Sequence, residues 1–146
     1  MENLIYFGLS ILFFAFAAIC NAVMDVSSFH YYKSIFKKLC KTQKCIYWWN
    51  QDQGWKNKYV DRDPKKGRIK WHFLGITFNK PVQISDAWHF FKFLMIVFAA
   101  IAIILHVPML FTNNIYIDFF IELIIFGLAW NLPFNLFYNK ILVTKK

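Results

Sequence analysis

The sequence predicts an all-α membrane protein with three transmembrane helices and a basic, aromatic-rich insert of about 60 residues between helices 1 and 2. Three observations predict this fold class: three long apolar segments, a hydrophobic content of 58%, and an uneven distribution of Lys and Arg. Soluble domains have an apolar share nearer ~45–50%, and disordered chains are more polar still. The composition therefore excludes both classes, and the length of 146 residues favours one membrane domain.

The first apolar segment is predicted to cross the membrane as a helix over residues 4–25. Leu4–Val23 carries no charged residue, and its length is about the ~20 residues that a bilayer core requires. Glu2 precedes the segment, without any Lys or Arg, whereas a signal peptide begins with positive charge. We therefore expect a retained membrane helix.

The second and third segments are predicted to span the membrane over residues 86–106 and 115–138. In the second, Asp86 is suited to the start of a helix, where its carboxylate satisfies free backbone N–H groups. Lys92 can extend to the headgroups, and Trp88 suits the interfacial aromatic layer. The third segment is long enough to span but contains Asp118, Glu122, Asn131 and Asn135.

The distribution of positive charge predicts the orientation. All Lys and Arg residues lie either between Lys33 and Lys92 or at the C-terminus (Lys140, Lys145 and Lys146). Three spans put the insert, residues 26–85, and the C-terminus on the same side of the membrane. Because positive residues are concentrated in cytoplasmic loops, we expect the N-terminus outside and the insert and C-terminus in the cytoplasm. In a bacterium this would be the cytoplasmic membrane.

Within the insert, local patterns predict a helix, a turn and a strand. The apolar residues Tyr32, Ile35, Phe36 and Leu39 have helical spacing opposite several lysines, which favours a basic amphipathic helix on an anionic membrane surface. The composition of residues 63–67 predicts a turn. Alternating polar and apolar residues then predict a short half-buried strand, at most part of a small hairpin; its apolar positions are Ile69, Trp71 and Phe73.

The three cysteines are predicted to be free thiols. Cys20 lies in the first membrane helix, whereas Cys40 and Cys45 lie in the insert, on the predicted reducing side. Their spacing matches neither a CxxC redox centre nor half of a zinc site, because no second pair is present.

A first candidate site consists of four ionisable residues near the inner membrane face. These are Asp25, His30, Asp86 and His89. If they converge, they could bind a divalent metal ion, the cofactor this set would suit, or act as a catalytic acid and base. The alternative is that each has a separate structural role. HExxH and other dense metal motifs are absent from the sequence.

A second candidate site is the segment Trp55, Lys56, Asn57 and Lys58. Ammonium groups beside an amide donor suit a phosphate, and phospholipid headgroups are the nearest phosphates to a membrane protein. The alternative is a small folded cap in which tryptophans form the core. Nucleic acid is disfavoured, because membrane topology already explains the positive charge.

A third candidate site comprises polar residues within the membrane segments: His106, Asp118, Glu122 and Asn131. Ionisable residues inside a membrane often have a functional role. These could form a proton or cation relay or line the pore of an oligomer. An interhelical hydrogen-bonded lock is the alternative.

Two functions follow from these features. The first is a homo-oligomeric pore-forming or membrane-interaction protein, such as an ion channel, whose basic cap binds anionic lipid headgroups or a cytosolic partner. The alternative is a membrane-embedded enzyme, metal-dependent or acid–base, that acts on a phosphorylated or lipid substrate at the inner leaflet. Nucleotide-binding and hydrolase motifs such as the Walker loop and GxSxG are absent from the sequence.

Overall fold

The computed structural model describes residues 2–144, so Lys145 and Lys146 lie outside the described residues. In chain order the helices are α1 (Glu2–Phe29), α2 (Ile35–Leu39), α3 (Gln43–Trp49), α4 (Gln51–Gly54), α5 (Ala87–Leu105) and α6 (Ile115–Leu136), and the strands are β1 (Lys70–Phe73) and β2 (Ile76–Asn79). Helices α1, α5 and α6, the last extended to Leu142, are long and apolar enough to cross a membrane. The prediction of three apolar helices is therefore confirmed.

Helix α1 is the centre of the bundle and packs against both α5 and α6. Its buried face carries small residues, among them Ala17, Ala18 and Ala22, which are fully buried. Small side chains let helix backbones approach closely, which is how membrane helices gain packing contacts. The Ser10 hydroxyl, also fully buried, donates a 2.7 Å hydrogen bond to the Ala102 carbonyl of α5.

The insert is a cap of short elements at one end of the bundle. The first turns of α2, α3 and α4 are capped by Ser34, Thr42 and Asn50. The side-chain oxygen of each cap accepts a hydrogen bond from a backbone N–H group of that turn. Residues Tyr31–Lys33 form a single 3-10 turn. The predicted amphipathic helix is therefore wrong in extent, because the extended Ser34 interrupts it, and Leu39 remains 72% exposed.

The predicted strand is confirmed as β1, which pairs with β2 in an antiparallel hairpin. Leu74 and Gly75, both with positive φ, form its two-residue turn. All residues of both strands are exposed, so the expectation of a half-buried strand is wrong. Neither face of this two-stranded ribbon is covered by another layer.

The cap shares its core with the adjacent ends of the long helices. Phe36 stacks on Trp49 with ring centroids 4.1 Å apart, and Trp49 in turn contacts Phe91 of α5. The backbone N–H of Thr144 donates to the Lys33 carbonyl at 2.8 Å. The insert and the chain end therefore lie at the same end of the bundle.

The cysteine prediction is wrong for two of the three residues. Cys40 and Cys45 form a disulfide, whereas Cys20 is free and buried in α1. The chain leaves α2 after Leu39 and turns into α3, which brings the two Cα atoms within 5.3 Å. The spacing alone did not reveal this return of the chain.

Candidate functional site

Asp86 lies where the cap meets the long apolar helices, as the N-cap of α5. Only 1% of its surface is exposed. One carboxylate oxygen accepts the His89 backbone N–H at 3.0 Å, and the other accepts the Ser85 hydroxyl at 2.8 Å. Burial raises the pKa of Asp86, but hydrogen bonds from His89 and Ser85, together with attraction to His89, outweigh it and hold that pKa below its ordinary value.

The His89 imidazole is held in one orientation by this carboxylate. Its Nδ1 lies 2.8 Å from Asp86 Oδ2 and 3.0 Å from Oδ1. Because an ionised carboxylate only accepts hydrogen bonds, Nδ1 carries the proton in this pair. The ring lines a cavity of about 230 Å³ together with Gln83 and Lys92. Asp86 thus orients an imidazole beside a cation at the start of a membrane helix.

Gly54, the last residue of α4, is packed directly against Asp86. A Cβ atom added at Gly54 would lie 2.8 Å from the Asp86 Cβ and 3.0 Å from the Tyr47 carbonyl oxygen. Both neighbours are fixed, one by the start of α5 and the other by the backbone of α3. The close approach therefore requires glycine at this position.

Asn57 connects three parts of the cap. Its amide nitrogen donates to the Tyr47 and Ser85 carbonyls, both at 2.9 Å, and its oxygen accepts Arg62 Nε at 2.9 Å. Both donors and one acceptor site are therefore occupied within the chain. The predicted phosphate-binding amide thus acts as a structural tie between α3 and the start of α5.

The Arg62 guanidinium is held in place by contacts with uncharged groups of the cap. Its guanidinium carbon lies 3.0 Å from the Tyr47 ring centroid, and Nη2 donates to the Gln53 carbonyl at 2.6 Å. Among the described residues, no carboxylate oxygen lies within 4.0 Å of the guanidinium nitrogens. An oriented guanidinium whose charge is not neutralised is suited to binding an anion.

Arg62 lines a cleft of about 300 Å³ that includes Ser85, the residue before the N-cap of α5, and we refer to it as the basic cleft. Two further cations, Lys44 and Lys80, line it together with Tyr47, Trp48, Asn57, Ile84 and Ser85. None of these lining residues is acidic. Trp48 also contacts Phe90 of α5, so the cleft lies at the depth where α5 begins.

Of the predicted headgroup residues, Asn57 lines this cleft, whereas Trp55, Lys56 and Lys58 do not. Lys56 lies over the Trp55 ring, 5.7 Å from its centroid, and Lys58 lies over the Tyr59 ring at 5.4 Å. Sequence inspection missed Lys44 and Lys80 as partners of Arg62, because they lie far apart in the chain. No local spacing in the sequence links these three residues.

Among the inner-face residues Asp25, His30, Asp86 and His89, the described structure joins only Asp86 and His89 by a hydrogen bond. His30 Nε2 lies 2.6 Å from the Tyr138 hydroxyl of the last turn, whereas Asp86 pairs with His89. Within residues 2–144, no group of three or more His, Cys, Asp and Glu side chains could hold a metal ion. The described residues therefore provide no ligand set for the divalent ion that the sequence predicted.

The polar residues at the opposite end of the bundle make local hydrogen bonds. Glu122 accepts the Met109 backbone N–H at 2.6 Å and lies 3.5 Å from His106. Asp118, which is 3% exposed, accepts the Thr112 backbone N–H at 2.8 Å. These contacts join α6 to the connection after α5. Asn131 lies apart from this group, on the exposed side of α6.

Comparisons with protein-family models, with curated proteins and with solved structures find no match to this chain.

Proposed function

We propose that this protein is an integral membrane protein that binds the phosphate of anionic lipid headgroups in the basic cleft. One observation carries the proposal: the Arg62 guanidinium is held by neutral contacts, lacks a carboxylate partner among the described residues, and shares a cleft with Lys44 and Lys80. A phosphate would supply the missing negative charge. The lining residues Ile84 and Ser85 immediately precede α5, and the end of a helix that spans a membrane lies near the headgroups, which supports a headgroup as the source of the phosphate.

Native mass spectrometry of the delipidated protein tests this proposal with added phosphatidylglycerol or phosphatidylcholine. Each Lys near an anionic surface contributes about 1 kcal/mol, so the double variant Lys44→Gln/Lys80→Gln should bind phosphatidylglycerol about 30-fold more weakly. The matched control is Lys56→Gln/Lys58→Gln, which removes the same charge outside the cleft and should retain binding. Equal losses in both variants, or equal binding of the two lipids by the unmodified protein, would contradict the proposal.

The orientation that accompanies this proposal has the insert in the cytoplasm. The excess of Lys and Arg favours that side, whereas a disulfide such as Cys40–Cys45 is typical of an oxidising compartment. We give the charge more weight, because it acts during insertion, whereas two adjacent thiols can be oxidised or reduced afterwards.

Cysteine labelling of intact cells tests on which side of the membrane the insert lies. In a variant whose native cysteines are replaced by serine, we expect an impermeant maleimide to label Asn113→Cys and to leave Lys66→Cys unlabelled until the cells are opened. Asn113 lies between α5 and α6, and Lys66 in the insert. The opposite labelling pattern would place the insert outside.

A second candidate function, acid–base catalysis on a lipid headgroup, is supported by the Asp86–His89 pair. The protonated Nδ1 leaves Nε2 free to accept a proton, and the cavity that His89 lines also contains Lys92. Analysis of the lipids after incubation tests this function in the same preparations. Products that form with the unmodified protein and disappear with His89→Gln would support the enzyme, whereas unchanged lipid would contradict it.

A further inference from the structure

The exposed side of α6 carries a repeated pattern of amides and leucines at four-residue spacing. The positions at this spacing are Gly127, Asn131, Asn135 and Asn139, and each of the first three is followed by a leucine, Leu128, Leu132 or Leu136. All seven residues are exposed, and the leucines are between 51% and 64% exposed. Residues four apart lie on one helix face. We refer to these seven residues as the amide stripe.

The depth of the stripe follows from ring contacts between helices. Phe14 lies in the middle of the uncharged run of α1, and its ring centroid is 5.2 Å from that of Trp130. Asn131, the next residue, is therefore near the middle of the apolar layer. Asn135 lies about 6 Å farther towards the cap, since a helix rises about 1.5 Å per residue. Both amides fall within a hydrocarbon core about 30 Å thick.

The stripe leaves hydrogen-bonding groups without partners among the described residues. Asn131 donates one N–H to the Gly127 carbonyl, and Asn135 donates one to the Asn131 carbonyl, both at 2.8 Å. Each amide has two N–H groups, so one remains free in each residue, and the Asn131 side-chain oxygen accepts no hydrogen bond within residues 2–144. Lipid tails offer neither donors nor acceptors. An unpaired amide in the apolar layer is unfavourable, which calls for a protein partner.

We propose that the amide stripe is the interface through which α6 associates with α6 of a second copy of this chain. An amide both donates and accepts, so two identical stripes complement each other without any other ligand. Two copies inserted in the same orientation place residue 131 opposite residue 131 around a two-fold axis along the membrane normal. The stripe has no charge that would indicate a partner of opposite charge.

The shape of the amide stripe agrees with α6 of a second copy as its partner. A Cβ atom added at Gly127 would meet nothing within 4 Å, so the backbone is open to close approach there. Gly and Asn positions alternate with protruding leucines, and such alternation lets two helices interdigitate. The proposal is independent of headgroup binding, because the basic cleft and the stripe share no residue.

Cysteine cross-linking in reconstituted vesicles tests the interface, in a background where Cys20, Cys40 and Cys45 are replaced by serine. We expect oxidation to produce a covalent dimer of Leu128→Cys. The matched control, Ile103→Cys on α5, is 75% exposed but lies off the stripe and should remain monomeric. A monomer with Leu128→Cys, or equal cross-linking of both variants, would overturn the proposal.

Addition of Asn131→Leu and Asn135→Leu to the Leu128→Cys variant tests the role of the amides themselves. Interhelical hydrogen bonds between polar side chains strengthen association in membranes, so we expect the apparent dissociation constant of the dimer to rise about tenfold. Both positions are exposed in the monomer, and circular dichroism should show unchanged helix content. Unchanged cross-linking in this triple variant would overturn the assignment.

Discussion

Replacement of Asp86 by alanine is expected to lower the free energy of unfolding by about 3 kcal/mol, because it removes a helix cap and a buried hydrogen-bond acceptor together. The buried carboxylate caps α5 and accepts hydrogen bonds from His89 and Ser85. Loss of an N-cap costs about 1 kcal/mol, and loss of a buried hydrogen bond to a charged group costs about 2 kcal/mol. Thermal unfolding in detergent, followed by circular dichroism, measures the change.

Asp86→Asn is the matched control, because asparagine is also a good N-cap but lacks the charge. We expect Asp86→Asn to be more stable than Asp86→Ala by about 1 kcal/mol, which is the contribution of the cap. If both variants unfold at the same temperature as the unmodified protein, the carboxylate does not stabilise the junction of the cap with α5.

The Asp86 carboxylate is also expected to make the free energy of unfolding depend on pH. The pKa of Asp86 is lower in the folded protein than its ordinary value, so folding favours the ionised form. Its contribution is complete above the ordinary pKa and is lost as the pH falls through the lowered one. The difference in midpoint between the unmodified protein and Asp86→Asn should therefore be constant near neutral pH and shrink in acid. A difference that grows in acid would contradict this sign.

Replacement of Gly54 by alanine is expected to destabilise the protein by about 2 kcal/mol, although alanine is usually the better helix residue by about 1 kcal/mol. The backbone of Gly54 is helical, with φ of −64° and ψ of −39°, so its conformation does not itself require glycine. The added Cβ would lie 2.8 Å from the Asp86 Cβ, and α4 or α5 must therefore shift.

Gly8→Ala is the matched control for Gly54→Ala. Gly8 is also in a helix, and a Cβ atom there meets nothing within 4 Å. We expect Gly8→Ala to leave the unfolding midpoint unchanged or raise it slightly, and Gly54→Ala to lower it by several degrees. An equal or higher unfolding midpoint for Gly54→Ala would show that α4 and α5 can move apart to accommodate the Cβ atom at little cost in free energy.

The two substitutions also bear on the proposed functions. Asp86 and Gly54 join the cap to α5, and Asn57 ties the Ser85 backbone to Arg62. A shift of α4 against α5 would therefore displace both the basic cleft and the cavity of His89. We expect headgroup binding to weaken in Gly54→Ala together with its stability, whereas removal of Lys44 and Lys80 should weaken binding alone.

Features that depend on neighbouring residues could be predicted from the sequence. A helix that spans a membrane requires about 20 consecutive apolar residues, so the three helices long and apolar enough to do so could be predicted by length and hydropathy. The helix start at Asp86 is predictable because a cap contacts N–H groups only two or three residues away. The alternation around Trp71 predicts β1 for the same reason.

Contacts between distant residues were decided only by the tertiary structure. Asn57 contacts Ser85, Gly54 contacts Asp86, and Arg62 shares a cleft with Lys44 and Lys80, and no local period encodes these separations. The return of the chain that joins Cys40 to Cys45 likewise depends on where α2 ends and α3 begins. By itself the sequence determined which segments are apolar, where they start and where the charge lies. The tertiary structure decided which polar groups are paired and which remain exposed, because pairing depends on the packing of α1 against α5 and α6.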